Sequence, residues 1–194
     1  QVLGNSAGGM VAATYGIRHP DQVGKLILSS TQARLNPQRC LEVFARLGGN
    51  EAVAAARGAL VETGDMASFR TYGQVCMPLY NPTPRTPPAH TIFRQPCAVA
   101  FHELGGIWHT MDFLGDLAAI RCPTLVIAGD DDPVTPIEDS EDIVAHLDPS
   151  IVRFERFADA GHGVWIDHHD RAFAVLRDFI TSPAPAPTGS ADHD

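Results

Sequence analysis

The sequence predicts an α/β fold built on a mostly parallel sheet, and three observations carry that prediction. Continuously apolar runs, Leu26-Ile27-Leu28 and Leu125-Val126-Ile127-Ala128, have the character of strands buried on both faces. Stretches of helical patterning alternate with such runs, as crossovers between parallel strands require. Three strand candidates end in short polar turns that carry, in chain order, a serine, an aspartate and a histidine.

The elements follow in order. Val2-Leu3 is the stub of a first strand. Gly4-Asn5-Ser6-Ala7-Gly8 turns the chain sharply into a helix-like run from Met10 to Arg18. That helix must end by His19-Pro20, because proline disfavours helical backbone in the residue before it. Lys25 to Ser30 is the second strand, which completes a βαβ unit. From about Leu35 to Leu117 the character changes. Leu41 to Phe44, Ala52 to Leu60 and Phe69 to Met77 have amphipathic helical spacing. Pro78, Pro82, Pro84, Pro87, Pro88 and Pro96 then exclude regular helix. No strand pattern occurs in this region, so it reads as a helical insertion between two strands.

The sheet pattern returns at Thr124 to Gly129. Thr135-Pro136-Ile137-Glu138 has the form of a helix start, with Thr135 as N-cap and Glu138 three residues later, for a helix running to about Leu147. Ile151 to Phe157 alternates apolar and charged residues and reads as a strand nearer an edge. A last helix, about Asp170 to Ile180, is expected to put Phe173, Leu176 and Ile180 on one face. The Pro-, Ala- and Gly-rich tail after Ser182 has nothing to bury and is expected to be disordered. The division is therefore 1–34 and 118–181 as core, 35–117 as insertion and 182–194 as tail.

Composition excludes several classes. A net charge of −9 over 194 residues argues against nucleic acid or an anionic membrane surface as partner. No apolar run reaches the roughly 18 residues of a membrane span, and no basic-then-apolar leader is visible. The chain starts at Gln1 and its first methionine is Met10, so further sequence is expected upstream. Cys40, Cys76, Cys97 and Cys122 form no metal-ligand spacing and read as small buried thiols, which fits a reducing cytoplasm. His168-His169 lies near His162, but adjacent histidines point to different sides of an element, so a metal cluster is not expected.

The polar turns carry chemistry. Gly4-Asn5-Ser6-Ala7-Gly8 matches G-x-S-x-G, in which the serine sits on a strained strand-to-helix turn with its hydroxyl exposed. A bare Gly-rich turn is the plain alternative. Gly129-Asp130-Asp131-Asp132-Pro133 and Ala160-Gly161-His162-Gly163 follow the later strands. Alone, these would be a solvated acidic turn and a turn histidine. Together, all three sit at the C-terminal ends of parallel strands, where functional groups of open α/β sheets gather. A serine hydroxyl needs a base within reach. His162 is of the right type to take the proton and return it, and a carboxylate must hold its tautomer. The backbone N–H of Ala7 can provide one oxyanion donor.

From the first strand to the last helix the chain resembles the α/β-hydrolase superfamily. The carrying pieces are Gly4-Asn5-Ser6-Ala7-Gly8-Gly9, the run from His19 to Leu28, Gly129-Asp130-Asp131-Asp132-Pro133-Val134-Thr135-Pro136, and Gly161-His162-Gly163. The resemblance implies the C-terminal part of that fold, the end of strand five through strand eight, with a helical lid at 35–117. It places the acid three residues after the strand-ending glycine, at Asp132. It also implies a second oxyanion donor from an upstream loop. Cutting such a sheet beside its central strand would expose an apolar edge, so residues 1–194 alone are expected to fold poorly.

The serine argues against the branches that use aspartate at the elbow. The G-D-D-D-P-V-T-P and G-H-G stretches are most similar to proline iminopeptidase-like hydrolases, whose lids carry acidic residues for the substrate amine. Glu103 is a candidate equivalent that no motif supports. The Gly-Asn-Ser elbow is also similar to carbon–carbon bond hydrolases of aromatic degradation. Those place tryptophan directly after the histidine, whereas here it is Trp165, three residues on. The implied function is acyl-enzyme hydrolysis of a small amide, ester or short peptide by Ser6, His162 and Asp132, with no cofactor. A non-catalytic remnant of the fold is the alternative of another class.

Overall fold

The computed structural model of the chain describes residues 1–84 and 103–183. Pro87, Pro88, Pro96, Cys97 and the tail from residue 184 lie outside the described residues. Four parallel strands form one sheet in the order β1-β2-β3-β4, with β1 at Val2–Asn5, β2 at Leu26–Ser29, β3 at Thr124–Gly129 and β4 at Val152–Phe157. Spatial order equals chain order. The register pairs Val2 with Leu26, Leu26 with Thr124 and Thr124 with Val152, so the strands start level and, being parallel, direct their C-terminal ends to one edge.

Alternation along the strands divides the core, because successive side chains point to opposite faces. Leu26, Leu28 and Val126 pack on one face with Ala12 and Ala13 of α1 (Ala7–Arg18). Ile27, Leu125 and Ile127 pack on the other with Val175 and Phe179 of the last helix. Both strands are wholly buried, the origin of their unbroken apolar runs. β4 is only half buried, as its mixed sequence suggests.

Between β2 and β3 the described residues are helical, around a third cluster that includes Phe44, Leu60, Tyr72 and Trp108. α2 (Pro37–Arg57) kinks at Gly49, whose φ of 64° is open to glycine. A π turn at Gly58–Glu62 leads to α3 (Met66–Val75), which Asp65 caps through Ser68 N–H. A 3₁₀ turn at Met77–Leu79 and the short α4 (Ile107–Thr110) follow. After β3 comes α5 (Ile137–His146), and after β4 come the short α6 (Val164–Asp167) and α7 (His169–Thr181).

Two expectations are corrected. Thr135 does not cap α5. Its hydroxyl and N–H both turn back to Asp132, and the helix opens one residue later with Pro136 at the cap position and no side-chain cap. On α7 the buried face is Ala172, Val175 and Phe179, with Leu176 and Ile180 beside it. Phe173 lies off that stripe and is 41% exposed, tilted against the rings of Trp165 and His169.

Lys25 fastens the end of α7 to the sheet. Its buried ammonium donates to the carbonyls of Phe179 (2.6 Å), Ile180 (2.9 Å) and Ser182 (2.6 Å). Such a cation supplies partners to carbonyls that a helix end leaves unpaired, at the negative end of its dipole. Among the described residues no helix is long and apolar enough to cross a membrane.

Candidate active site

Ser6, at the junction of β1 and α1, has φ 54° and ψ −127°, a conformation rarely adopted by a non-glycine residue. Its neighbours hold it there. Ser6 N–H donates to Ser29 O (3.0 Å), and Ser6 O accepts from Gly9 N–H (2.8 Å) and from the Thr31 hydroxyl (2.8 Å). A Cβ on Gly4 would sit 2.1 Å from Gly8 O, which explains why this turn demands glycine there. At Gly8 itself there is open space.

The structure brings Ser6, His162 and Asp132 together from the ends of β1, β4 and β3. The Ser6 hydroxyl donates to His162 Nε2 (2.9 Å), and His162 Nδ1–H donates to Asp132 Oδ2 (2.9 Å). This chain of bonds fixes the neutral tautomer with its proton on Nδ1, leaving Nε2 as acceptor. Asp132 is fully buried, and His162 is 13% exposed at its side chain. Asp132 Oδ1 accepts from Val134 N–H (2.8 Å) and Thr135 N–H (3.0 Å), and Oδ2 accepts from the Thr135 hydroxyl (2.8 Å). The carboxylate is thus aimed at the imidazole by its own turn. Asp130 and Asp131 point elsewhere, to Arg156 and Arg46. Ala7, the first residue of α1, follows the serine directly.

The helical segment reaches the same place. His162 N–H donates to Tyr80 O (2.7 Å), and the Tyr80 ring meets the imidazole edge-on at 5.4 Å. The Tyr80 hydroxyl bonds that of Tyr72 (2.9 Å), and burial pushes it well above the ordinary phenol range. A Cβ on Gly161 would lie 2.0 Å from Tyr80 O, so this approach of two main chains is open only to glycine. Beside His162 a pocket of about 380 Å³ is lined by Asn5, Tyr80, Asn81, Trp165 and Ile166.

Behind Asp132 lies a second buried carboxylate. Asp139 accepts from Arg39 of α2 (2.7 Å), which also binds Asp142 (2.7 Å). Burial raises Asp139 to about 7, with the guanidinium opposing the rise. Cys40, Cys76 and Cys122 are buried free thiols, and burial lifts Cys40 far above the thiol range. His168 meets Ala158 O (3.0 Å) and His169 meets Asp170 (3.0 Å), both away from His162. Among the described residues, no three His, Cys, Asp or Glu side chains are grouped to hold a metal. Glu103 is exposed and is not among the residues lining the pocket.

The sequence reading missed Thr135, Tyr80, Asn81 and Asp167. A signal existed for the first, since Asp132-x-x-Thr135 is the spacing of an aspartate that caps its own turn. Contacts from residues 80 and 81 to residues 161 to 163 leave no such local trace.

The fold matches a known class of proteins. The family model for the alpha/beta hydrolase fold matches residues 1–169, and the chain belongs to that family. It is 31% identical over 195 residues to a non-heme haloperoxidase of Rhodococcus erythropolis, covering 93% of this chain and 67% of that protein. Among solved structures it is similar to the proline iminopeptidase of Mycobacterium smegmatis (TM-score 0.63, 22% identity), covering 92% of this chain and 63% of that one. It is also similar to the enol-lactonase of Burkholderia xenovorans LB400 (TM-score 0.59, 18% identity), covering 93% and 65%. At these identities the structural likeness speaks for the fold alone. The chain spans about two thirds of the length of these relatives.

Proposed function

We propose that the protein is a serine hydrolase that works through an acyl-enzyme on a small amide, ester or short peptide. Ser6 Oγ attacks the carbonyl carbon while His162 Nε2 takes its proton. Asp132 stabilises the imidazolium that forms, and Ala7 N–H receives the developing oxyanion. The tetrahedral species collapses as His162 protonates the leaving group. Water then repeats the sequence on the acyl-enzyme, with His162 as base again. No cofactor enters these steps. The observation that carries this reading is the unbroken chain from Ser6 Oγ through His162 to Asp132. Family membership supports it. The insertion, residues 35–117, then serves as a lid over the site.

The finer reading is a proline iminopeptidase-like specificity. The G-D-D-D-P-V-T-P and G-H-G stretches support it. The test is turnover of p-nitrophenyl acetate and of proline 4-nitroanilide by the full-length protein. Ser6→Ala should abolish both signals. Turnover unchanged in Ser6→Ala overturns the serine mechanism, and turnover of the ester without the anilide overturns only the finer reading.

A further inference from the structure

The imidazole loop is held by groups that the chemistry itself does not use. Gly161 N–H donates to Asp167 Oδ2 (2.9 Å), His162 N–H donates to Tyr80 O (2.7 Å), and Gly163 O accepts from Asn81 Nδ2 (3.2 Å). The Asn81 amide also donates to Asp167 Oδ2 (2.6 Å), and Asp167 Oδ1 accepts from Thr83 N–H (3.1 Å). One carboxylate therefore receives three donors, two of them from a segment more than 80 residues away in sequence. The same segment supplies Tyr80 and Asn81 to the pocket wall.

We infer that Asp167 and Asn81 form a latch that fixes His162 and the Tyr80–Asn81 wall of the pocket together, which makes Asp167 a positioning residue for the hydrolysis proposed above. The inference rests on that reading of Ser6 and His162. The latch requires acceptors on both oxygens of residue 167. An asparagine there must turn its NH₂ toward a donor, whichever way it is flipped. Opening the latch releases the N–H bond of His162 and the edge-on Tyr80 ring in one step. A displacement of about 1 Å in a catalytic group costs up to about 100-fold in rate. Asn81 also lines the pocket, so its replacement alters the wall directly as well as the loop.

The test uses the full-length protein and two readouts: the rate at which a fluorophosphonate probe labels the nucleophile, and kcat and KM for an activated ester. Both are taken well below the melting temperature of each variant. Asp167→Ala and Asp167→Asn are expected to slow labelling and kcat by about 10- to 100-fold. Asn81→Ala should raise KM as well, and the double alanine variant should be no slower than Asp167→Ala alone, since the residues act as one unit. Asn81→Asp sets a carboxylate against both Asp167 Oδ2 and Gly163 O, so it should slow labelling at least as much as Asn81→Ala does. Should the Asp167 variants fail to fold, Asn81→Ala and Asn81→Asp carry the same expectation for labelling. Wild-type labelling rates in folded variants, or strictly additive losses, overturn the latch and leave the serine reading standing. Labelling that survives Ser6→Ala overturns the serine reading and the latch with it.

Discussion

Asp132→Asn separates what the buried carboxylate does for its turn from what it does for the imidazole. The asparagine oxygen can keep both bonds of Oδ1, from Val134 N–H and Thr135 N–H. Its NH₂ takes the place of Oδ2, where it donates to the Thr135 hydroxyl and to His162 Nδ1. The histidine must then carry its proton on Nε2, facing Ser6 as a donor, and it cannot accept the serine proton. Loss of the correct tautomer is worth about 10⁴-fold in kcat, or about 5 kcal/mol of transition-state stabilisation. Folding should survive, because only the Thr135 O–H loses its acceptor. Asp132→Ala differs: it leaves two N–H groups and a hydroxyl unpaired, at about 1–3 kcal/mol each, enough to threaten a domain of ordinary stability. The assay is steady-state ester hydrolysis beside a thermal melt for each variant, with Asp130→Asn and Asp131→Asn as controls. Those two aspartates pair with surface arginines, so they should change turnover less than about threefold. A folded Asp132→Asn protein with turnover within tenfold of wild type refutes the reasoning. So does a loss of 10⁴-fold that appears in Asp131→Asn instead.

Asp139 should give stability a pH dependence opposite to that of an ordinary ion-paired carboxylate. Its folded-state value, raised by burial to about 7, lies above its unfolded value of 3.8, so the group favours the folded state at low pH and that contribution fades as pH rises toward 7. Two pH units separate pH 5 from that value, at about 1.4 kcal/mol each, so about 3 kcal/mol present at pH 5 is gone at pH 8. Urea unfolding of wild type and Asp139→Asn at both pH values checks this; equal pH slopes in the two proteins would count against it. Lys25→Met should cost about 3 kcal/mol by stranding three carbonyls at the end of α7. Hydrogen exchange confined to Phe179–Ser182 should accelerate, and unchanged protection there would contradict the anchoring role. Gly4→Ala should prevent the elbow from forming, because the new Cβ would collide with main chain rather than with a flexible side chain. A soluble variant with wild-type ester turnover would show that the turn can relax.

What could be read from the sequence was whatever burial writes locally. Leu26-Ile27-Leu28 and Leu125 to Ala128 are continuously apolar because helices cover both faces of β2 and β3. Ser6, His162 and the acidic turn of residues 130–132 were visible because strand ends and short turns put chemistry at fixed offsets, and the family resemblance singled out Asp132 within that turn. Thr135 was misassigned because two uses of a threonine compete within three residues, and the nearer carboxylate takes it from the helix. Phe173 was put on one face with Leu176 and Ile180 by helical spacing, although the smaller Ala172 occupies the inward position. Asp167 and Asn81 were invisible for a different reason. Their partners are main-chain groups, which every residue carries, and they meet only after the whole chain has folded.

The sheet grows in the order in which its strands are made, β1-β2-β3-β4, always on the same side. Two of the three additions are quick, since β1 to β2 and β3 to β4 are each separated by roughly one helix. The middle one is not. From Ser30 to Pro123 about 90 residues intervene, which takes about 5–20 s of synthesis at ordinary elongation rates. Throughout that interval β2, which ends wholly buried, has one neighbour and an open apolar flank. The helical segment emerging from the ribosome is the material at hand to shield it. A nascent chain halted within residues 30–123 should therefore be the stage most dependent on a chaperone, and loss of helix in that stretch should first reduce yield in the cell rather than the activity of the molecules that finish.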